Sequence, residues 1–165
     1  MLQSFLFRRF AILLLLTSFF GCSRKTYLER SNEDAALRDA VRKITKNPSD
    51  TEAADAIPVL YKNIKSTRLG RIKSYSSTVE IGRWDLIISE YEQLQQIYSM
   101  ILNSAPAFRL VTPESFSDRV LGAKDSAAAA YYALGIEAME KGGRSNLKKA
   151  YDLFKRDRKS TRLNS

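Results

Sequence analysis

The stretch GRWDLIISEYEQLQQIYSMIL, residues 82–102, decides the fold class of this chain. Apolar side chains recur in it at intervals of three and four residues, which is the spacing of one face of an α-helix. The stripe consists of Trp84, Ile87, Ile88, Tyr91, Leu94, Ile97, Tyr98, Ile101 and Leu102. Polar residues such as Glu90, Glu92 and Gln93 occupy much of the other face. The pattern therefore predicts a long amphipathic helix with one buried side.

Two helices are predicted before this stretch. Ser31 is expected to cap the first of them, with Asp34 answering from the third helical position. Pro48 ends that helix, because the residue before a proline disfavours helical backbone. The second helix begins near Asp50, and Pro58 either kinks it or marks its real start.

Two further helices are predicted after the stretch. A break is expected over 103–111, and a long alanine-rich helix over 115–141 follows it. Thr112 is expected to cap this helix, with Pro113 in its first turn. A last helix over 146–156 is expected to turn four side chains inward: Leu147, Ala150, Tyr151 and Phe154. Because no segment alternates as a strand does, the sequence predicts an all-α domain of antiparallel helical hairpins.

The C-terminal part of the chain resembles a tetratricopeptide repeat (TPR), whose two helices read W-x2-L-G-x2-Y and then A-x3-F. Tyr131, Leu134 and Gly135 match the first half, with tyrosine in place of tryptophan. Ala150 and Phe154 match the second half. Small residues at Gly135 and Ala150 allow two helices to approach closely. The resemblance implies a TPR-like α-solenoid fragment, and an irregular helical bundle is the alternative.

Residues 1–21 have the parts of a secretory signal peptide. Arg8 and Arg9 precede an apolar run that is shorter than the ~20 residues of a membrane-spanning helix. The end of the segment resembles a lipobox, the site cut by the lipoprotein signal peptidase. This implies cleavage between Gly21 and Cys22 and attachment of a diacylglycerol group, with acyl chains such as palmitate, to the Cys22 thiol. The alternative is an ordinary secretory signal that is cut elsewhere.

A lipobox followed by TPR-like helices resembles the envelope lipoproteins of Gram-negative bacteria. The resemblance implies attachment to a membrane through acylated Cys22, and a protein or peptide partner bound by the helices. Ser23 and Arg24 are not the aspartate that retains such proteins at the inner membrane, so the outer membrane, facing the periplasm, is expected. One alternative is capture of glycan or cell-wall fragments on Trp84 or exposed tyrosines. Another is an enzyme whose catalytic domain lies beyond the sequence given.

Four segments follow from these patterns: a signal peptide over 1–21, a tether over 22–30, a helical domain over 31–156 and a tail over 157–165. The tail resembles the translation of a sequencing-library adapter. It is therefore expected to be non-native, with the helical domain truncated before it. A natural polar tail is the alternative.

The second helix is predicted to carry a basic stripe. No acidic residue occurs over 56–79, and helical spacing gathers five cations there: Lys62, Lys65, Arg68, Arg71 and Lys73. Such a stripe is either a solvated face or a contact for an acidic partner or acidic lipid headgroups.

The composition argues against several kinds of chemistry. The chain has no histidine and one cysteine, so the commonest general base and metal ligand are missing. Its formal net charge of +9 includes cations of the signal peptide and of the tail, and the remainder is only mildly basic, which does not indicate nucleic-acid binding. Glu90 and Glu92 are expected to be solvated rather than a catalytic pair. The sequence predicts no enzyme, no metal and no cofactor apart from the lipid on Cys22.

Overall fold

The computed structural model describes residues 26–161, with side chains described over 26–156. That part of the chain contains α-helices, one 3-10 turn and no strand, which confirms the all-α prediction. The elements are the 3-10 turn Tyr27–Glu29, α1 Glu33–Lys46, α2 Thr51–Ser76, α3 Arg83–Leu102, α4 Ala105–Leu110, α5 Ser117–Glu140 and α6 Gly143–Thr161.

The first helix begins at a side-chain cap. Asn32 Oδ1 accepts the backbone N–H of Ala35 at 3.0 Å, which satisfies one of the free donors at the helix start. The prediction of Ser31 as the cap was therefore wrong by one residue. Asp34, predicted to complete the cap, instead forms an ion pair with Arg68 of α2.

α2 is a continuous helix over Thr51–Ser76, so Pro58 does not mark its start. Asp50 Oδ1 accepts the backbone N–H of Ala53 at 3.0 Å, which confirms the predicted start of this helix. Pro58 has no N–H, so the carbonyl of Ala54 lacks its usual helical donor. Buried apolar residues on both sides of the proline hold the helix in the core.

The segment between α3 and α5 differs from the prediction in two ways. The expected break over 103–111 contains the short helix α4, which Ser104 caps. The expected start of the next helix at Thr112 and Pro113 was wrong, because irregular backbone continues to Phe116.

Side chains of earlier helices hold this irregular segment, 111–116, in place. The N–H of Glu114 donates to Tyr61 Oη at 2.9 Å, and the N–H of Phe116 donates to Gln95 Oε1 at 2.7 Å. These bonds replace the partners that a helix would supply. The Phe116 ring is buried and stacks on Tyr91 at 6.2 Å between ring centres. The tertiary contacts therefore outweigh the local signal for a helix start.

The helices pack as a row. α1 lies on α2, α2 on α3, α3 on α5 and α5 on α6. Three hydrophobic clusters follow this row, the largest around α1 and α2, a second around Phe116 between α2, α3 and α5, and a third around Tyr131. Each helix therefore shares most of its buried surface with its neighbours in the row.

α5 and α6 form a tight antiparallel hairpin. Gly142 and Gly143 connect them with φ of +63° and +79°, a conformation that favours glycine. Gly135 faces the ring of Phe154 so closely that a Cβ at this position would lie 2.5 Å from it. Ala150 is buried in the same interface. The close approach predicted at Gly135 and Ala150 is thus present.

The inward direction predicted for α6 was only partly right. Ala150 is buried, but Leu147 and Tyr151 are 53% and 66% exposed. Leu153, which was not predicted to point inward, is buried. It belongs to the third hydrophobic cluster, with Ala127 and Tyr131 of α5. α6 therefore docks on α5 through Ala150 and Leu153, and Leu147 and Tyr151 of its apolar stripe stay more than half exposed among the described residues.

Candidate interaction surface

The predicted lipidation site lies outside the described part of the chain. Gly21 and Cys22 precede residue 26, so cleavage and acylation stay predictions. No helix among the described residues has the length and hydropathy needed to span a bilayer. Packing begins before residue 31, because Tyr27 contacts the core and Arg30 Nη1 donates to Asp39 Oδ2 at 2.8 Å.

The structure divides the predicted basic stripe. Lys65 Nζ lies 2.6 Å from Glu114 Oε2, and Arg71 Nη1 lies 3.3 Å from Glu90 Oε1. Arg68 also has carboxylate partners, and its side chain is buried. Lys62 and Lys73 are exposed and have no ion pair among the described side chains. Three of the five cations therefore act inside the fold.

Arg68 joins three helices. Its guanidinium donates from Nη1 to Glu90 Oε2 at 2.6 Å and from Nη2 to Asp34 Oδ2 at 2.7 Å. The residue is only 5% exposed. Burial opposes its charge, but hydrogen bonds and attraction from Asp34 and Glu90 outweigh burial and raise the pKa of Arg68 above its ordinary value. Arg68 therefore stays charged and links α1, α2 and α3.

Glu90 was predicted to be solvated, and this was wrong. It is 8% exposed, because the polar face of α3 packs on α2 at this point. Glu92 points toward a different helix, with Oε1 2.8 Å from Lys124 Nζ of α5. The two carboxylates are occupied by separate cations. They do not form the facing pair that acid–base catalysis would need.

A cleft of about 310 Å³ lies beside Arg68, between α1 and α2. Arg68 Nε is buried without a hydrogen-bond partner, while both terminal nitrogens are bound to carboxylates. Arg71 at the cleft edge is also paired. The cleft therefore offers no free cation to an acidic ligand. Among the described residues, no group of three or more potential metal ligands comes together.

The α5–α6 hairpin carries an exposed apolar surface, which we name the hairpin face. It consists of Tyr132, Met139, Leu147 and Tyr151, whose exposed fractions lie between 49% and 66%. Leu147 and Tyr151 are one helical turn apart, and Tyr132 and Met139 are two turns apart, so each pair lies on one side of its helix. Phe154 continues the stripe of α6, and its ring centre lies 5.8 Å from that of Tyr132. The two stripes therefore meet at the seam of the hairpin.

A basic edge borders the hairpin face on α6. Arg144, Lys148 and Lys155 lie on one side of the helix, next to Leu147 and Tyr151, as their spacing of four and seven residues requires. All three are exposed, and none has an ion pair among the side chains over 26–156. The sequence prediction named the apolar stripe of α6 but assigned it to the core, and it did not single out these cations.

Trp84, considered as a glycan platform, takes part in the core. It is partly buried and packs against the second and third hydrophobic clusters. The guanidinium of Arg83 lies 5.2 Å from the ring centre. The free stacking face that a sugar would need is therefore reduced.

No protein-family model matches the chain, and no curated protein or solved structure is significantly similar to it. The hairpin has the close helix pairing that the TPR resemblance implies, but the repeat itself stays a prediction.

Proposed function

We propose that this chain is a lipid-anchored interaction module of the bacterial cell envelope, without catalytic activity of its own. Acylated Cys22 holds it to the outer membrane on the periplasmic side. The hairpin face binds a helical segment of a protein partner. The lipobox resemblance at Gly21 and Cys22 supports the anchor.

The observation that carries the binding role is the hairpin face itself. Four large apolar side chains, about half to two thirds exposed, lie on two neighbouring helices, whose stripes are joined by the contact between Tyr132 and Phe154. Apolar surface of this kind is stabilised when it leaves water, and contiguous patches on folded proteins mark binding sites. Two parallel stripes that meet at a seam fit the apolar face of a third helix.

The anchor is tested by fractionation of cells that express the full chain. Wild-type protein is expected in the membrane fraction, labelled by an alkyne analogue of palmitate. Cys22→Ala is expected to lose the label and leave the membrane, since ~0.8 kcal/mol per buried methylene is lost with the acyl chains. Labelling that persists in the variant would contradict the anchor.

The binding role is tested by photo-crosslinking in intact cells. A photoreactive amino acid at Tyr151 is expected to give one dominant adduct with a helical segment of another protein. The matched control is the same amino acid at Ser66, an exposed residue of α2 outside the α5–α6 hairpin. Equal adducts at both positions, or an adduct unaffected by Leu147→Ser, would contradict binding at the hairpin face.

A further inference from the structure

We infer that the partner of the hairpin face is an amphipathic helix with an acidic flank, seated so that this flank contacts Arg144, Lys148 and Lys155. The inference rests on the proposed function, since it names the chemistry of the partner at that same surface.

The size of the surface fits a short helix. Tyr132 and Met139 span about 10 Å along α5, and Leu147 and Tyr151 span about 6 Å along α6, at 1.5 Å per residue. A partner with apolar residues at positions i, i+3, i+4 and i+7 presents a stripe of the same length. The half-buried ring of Phe154, at the end of the α6 stripe, contacts Tyr132 and so joins the two stripes.

The charges beside the hairpin face indicate which flank of the partner helix lies against α6. No ion pair among the described side chains joins Arg144, Lys148 or Lys155 to an acid, and Asp152, one turn from Lys148 and Lys155, is the acid of α6 that borders them. The cations of α2 differ, because Asp34, Glu90 and Glu114 from other parts of the chain neutralise three of them within the fold. Beside an apolar surface that becomes buried on binding, the cations of α6 attract acids more strongly than in open water. An acidic flank on the partner completes the pairs, and a basic flank is repelled.

The charge pattern favours a helix over an anionic lipid surface. The cations lie on one side of the hairpin face only, whereas Glu140 is exposed on α5, beyond the other side. A flat anionic bilayer attracts the first edge and repels the second. A helix can carry acids on one flank and neutral or basic residues on the other.

The test uses the full chain and two synthetic helices of about 18 residues, long enough to cover the face at 1.5 Å per residue. Both peptides carry the same leucine stripe, with glutamate on one flank in the first and lysine in the second. Fluorescence anisotropy measures binding at low and at physiological salt. The glutamate peptide is expected to bind about tenfold or more tightly than the lysine peptide, with the difference shrinking as salt screens the charges.

Variants test whether the three cations of α6 cause the preference for the glutamate peptide. A triple variant, Arg144→Glu, Lys148→Glu and Lys155→Glu, is expected to reverse the preference between the two peptides. The control, Lys62→Glu with Lys73→Glu, changes two exposed cations of α2 and is expected to leave the preference unchanged. Circular dichroism verifies that each variant keeps its helical content.

The outcomes separate the two proposals. Peptide binding that is lost with Leu147→Ser and Tyr151→Ser but shows no charge preference overturns the acidic-helix inference and leaves the proposed function intact. Peptide binding that those serine variants do not weaken overturns both. If neither peptide binds but the chain binds phosphatidylglycerol vesicles, and the triple variant abolishes this, the face contacts lipid and the inference is wrong.

Discussion

Gly135 lies at a tight contact between α5 and α6. Its missing Cβ leaves room for the ring of Phe154, and a Cβ there would lie 2.5 Å from Cε1 of that ring. The sequence predicts a close approach of two helices at Gly135 and Ala150 from their resemblance to a TPR, and the contact of Gly135 with Phe154 is where the structure shows it. Local pattern is sufficient here, since both residues belong to one hairpin.

Gly135→Ala is expected to lower the free energy of unfolding by about 1–3 kcal/mol, because the Phe154 ring must shift in a packed interface. Gly122→Ala, in the same helix, is the matched control. No heavy atom lies within 4 Å of a Cβ at Gly122, so this change is expected to stabilise the chain by about 0.5–1 kcal/mol. Urea denaturation compares the two variants. Equal and stabilising effects would contradict the tight packing at Gly135.

Arg68 shows what a sequence pattern does not reveal at the scale of one residue. Its partners Asp34 and Glu90 lie 34 and 22 positions away. Helical spacing grouped Arg68 with four other cations of α2, but the structure buries Arg68 while Lys62 and Lys73 are exposed. The spacing carried no signal that α1 and α3 would bring carboxylates to Arg68. A charge was therefore expected in solvent and is buried in the fold.

Glu90→Ala is expected to cost about 3 kcal/mol of stability, because it leaves the buried guanidinium of Arg68 with one carboxylate fewer. Arg71→Ala removes the exposed cation that pairs with the same carboxylate, and it is expected to cost less than about 1 kcal/mol. Thermal and urea unfolding measure both changes. A larger loss from Arg71→Ala would show that Arg68 is not the principal partner of Glu90.

Among the elements, the irregular segment 111–116 departs most from the sequence prediction. Thr112 and Pro113 have the residue types of a helix start, yet α5 begins at Ser117. Tyr61 and Gln95, from two other helices, bind the backbone of the segment. These bonds form only once α2 and α3 are packed, so no local pattern could have predicted them. Helix existence was predictable, whereas this boundary depended on tertiary contacts.

The same segment gives a pH dependence through Glu114. The hydrogen bond from Lys65, followed by attraction from Lys65 and Arg119, holds the pKa of Glu114 below its ordinary value of 4.5. Because the folded pKa is the lower one, this stabilisation is present above pH 4.5 and is lost as pH falls through the folded pKa.

Glu114→Gln is therefore expected to destabilise the chain at pH 7 and to have little effect at low pH. The pair is partly exposed, so the difference at pH 7 is expected to be under about 1 kcal/mol. Urea unfolding at several pH values measures it. Glu52→Gln is the control, since Glu52 is exposed and forms no ion pair among the described residues. A difference that grows as pH falls would contradict the sign.

At the scale of the whole molecule, the row of helices predicts uneven stability. α2 lies between two neighbours and contributes to two hydrophobic clusters, whereas α6 packs chiefly on α5. Backbone amides of α6 are expected to exchange with solvent at least about tenfold faster than those of α2, a difference of 1.4 kcal/mol in opening free energy. Hydrogen exchange read by mass spectrometry tests this. Equal protection in both helices would mean that the row opens only as a single unit.

The hairpin face also shows the limit of sequence prediction for the candidate site. Leu147, Tyr151 and Phe154 form the kind of stripe that usually packs in a core. Hydrophobic spacing predicts that a face avoids water, but it does not say whether the same chain or another molecule covers it. The structure adds that α6 packs on α5 through Leu153 and Ala150, which leaves Leu147 and Tyr151 more than half exposed among the described residues.

The 3-10 turn Tyr27–Glu29 limits the distance between the helices and a membrane to which Cys22 would be attached. Tyr27 is packed against the core. If Cys22 is the lipidated residue, only residues 22–26 of the tether separate the lipid from the packed helices. Five extended residues reach no more than about 18 Å, at 3.6 Å each. If Cys22 is acylated as proposed, this short segment would keep the α1–α2 end of the row close to the bilayer. The hairpin face, at the other end, would then point away from the membrane and meet partners in the aqueous space.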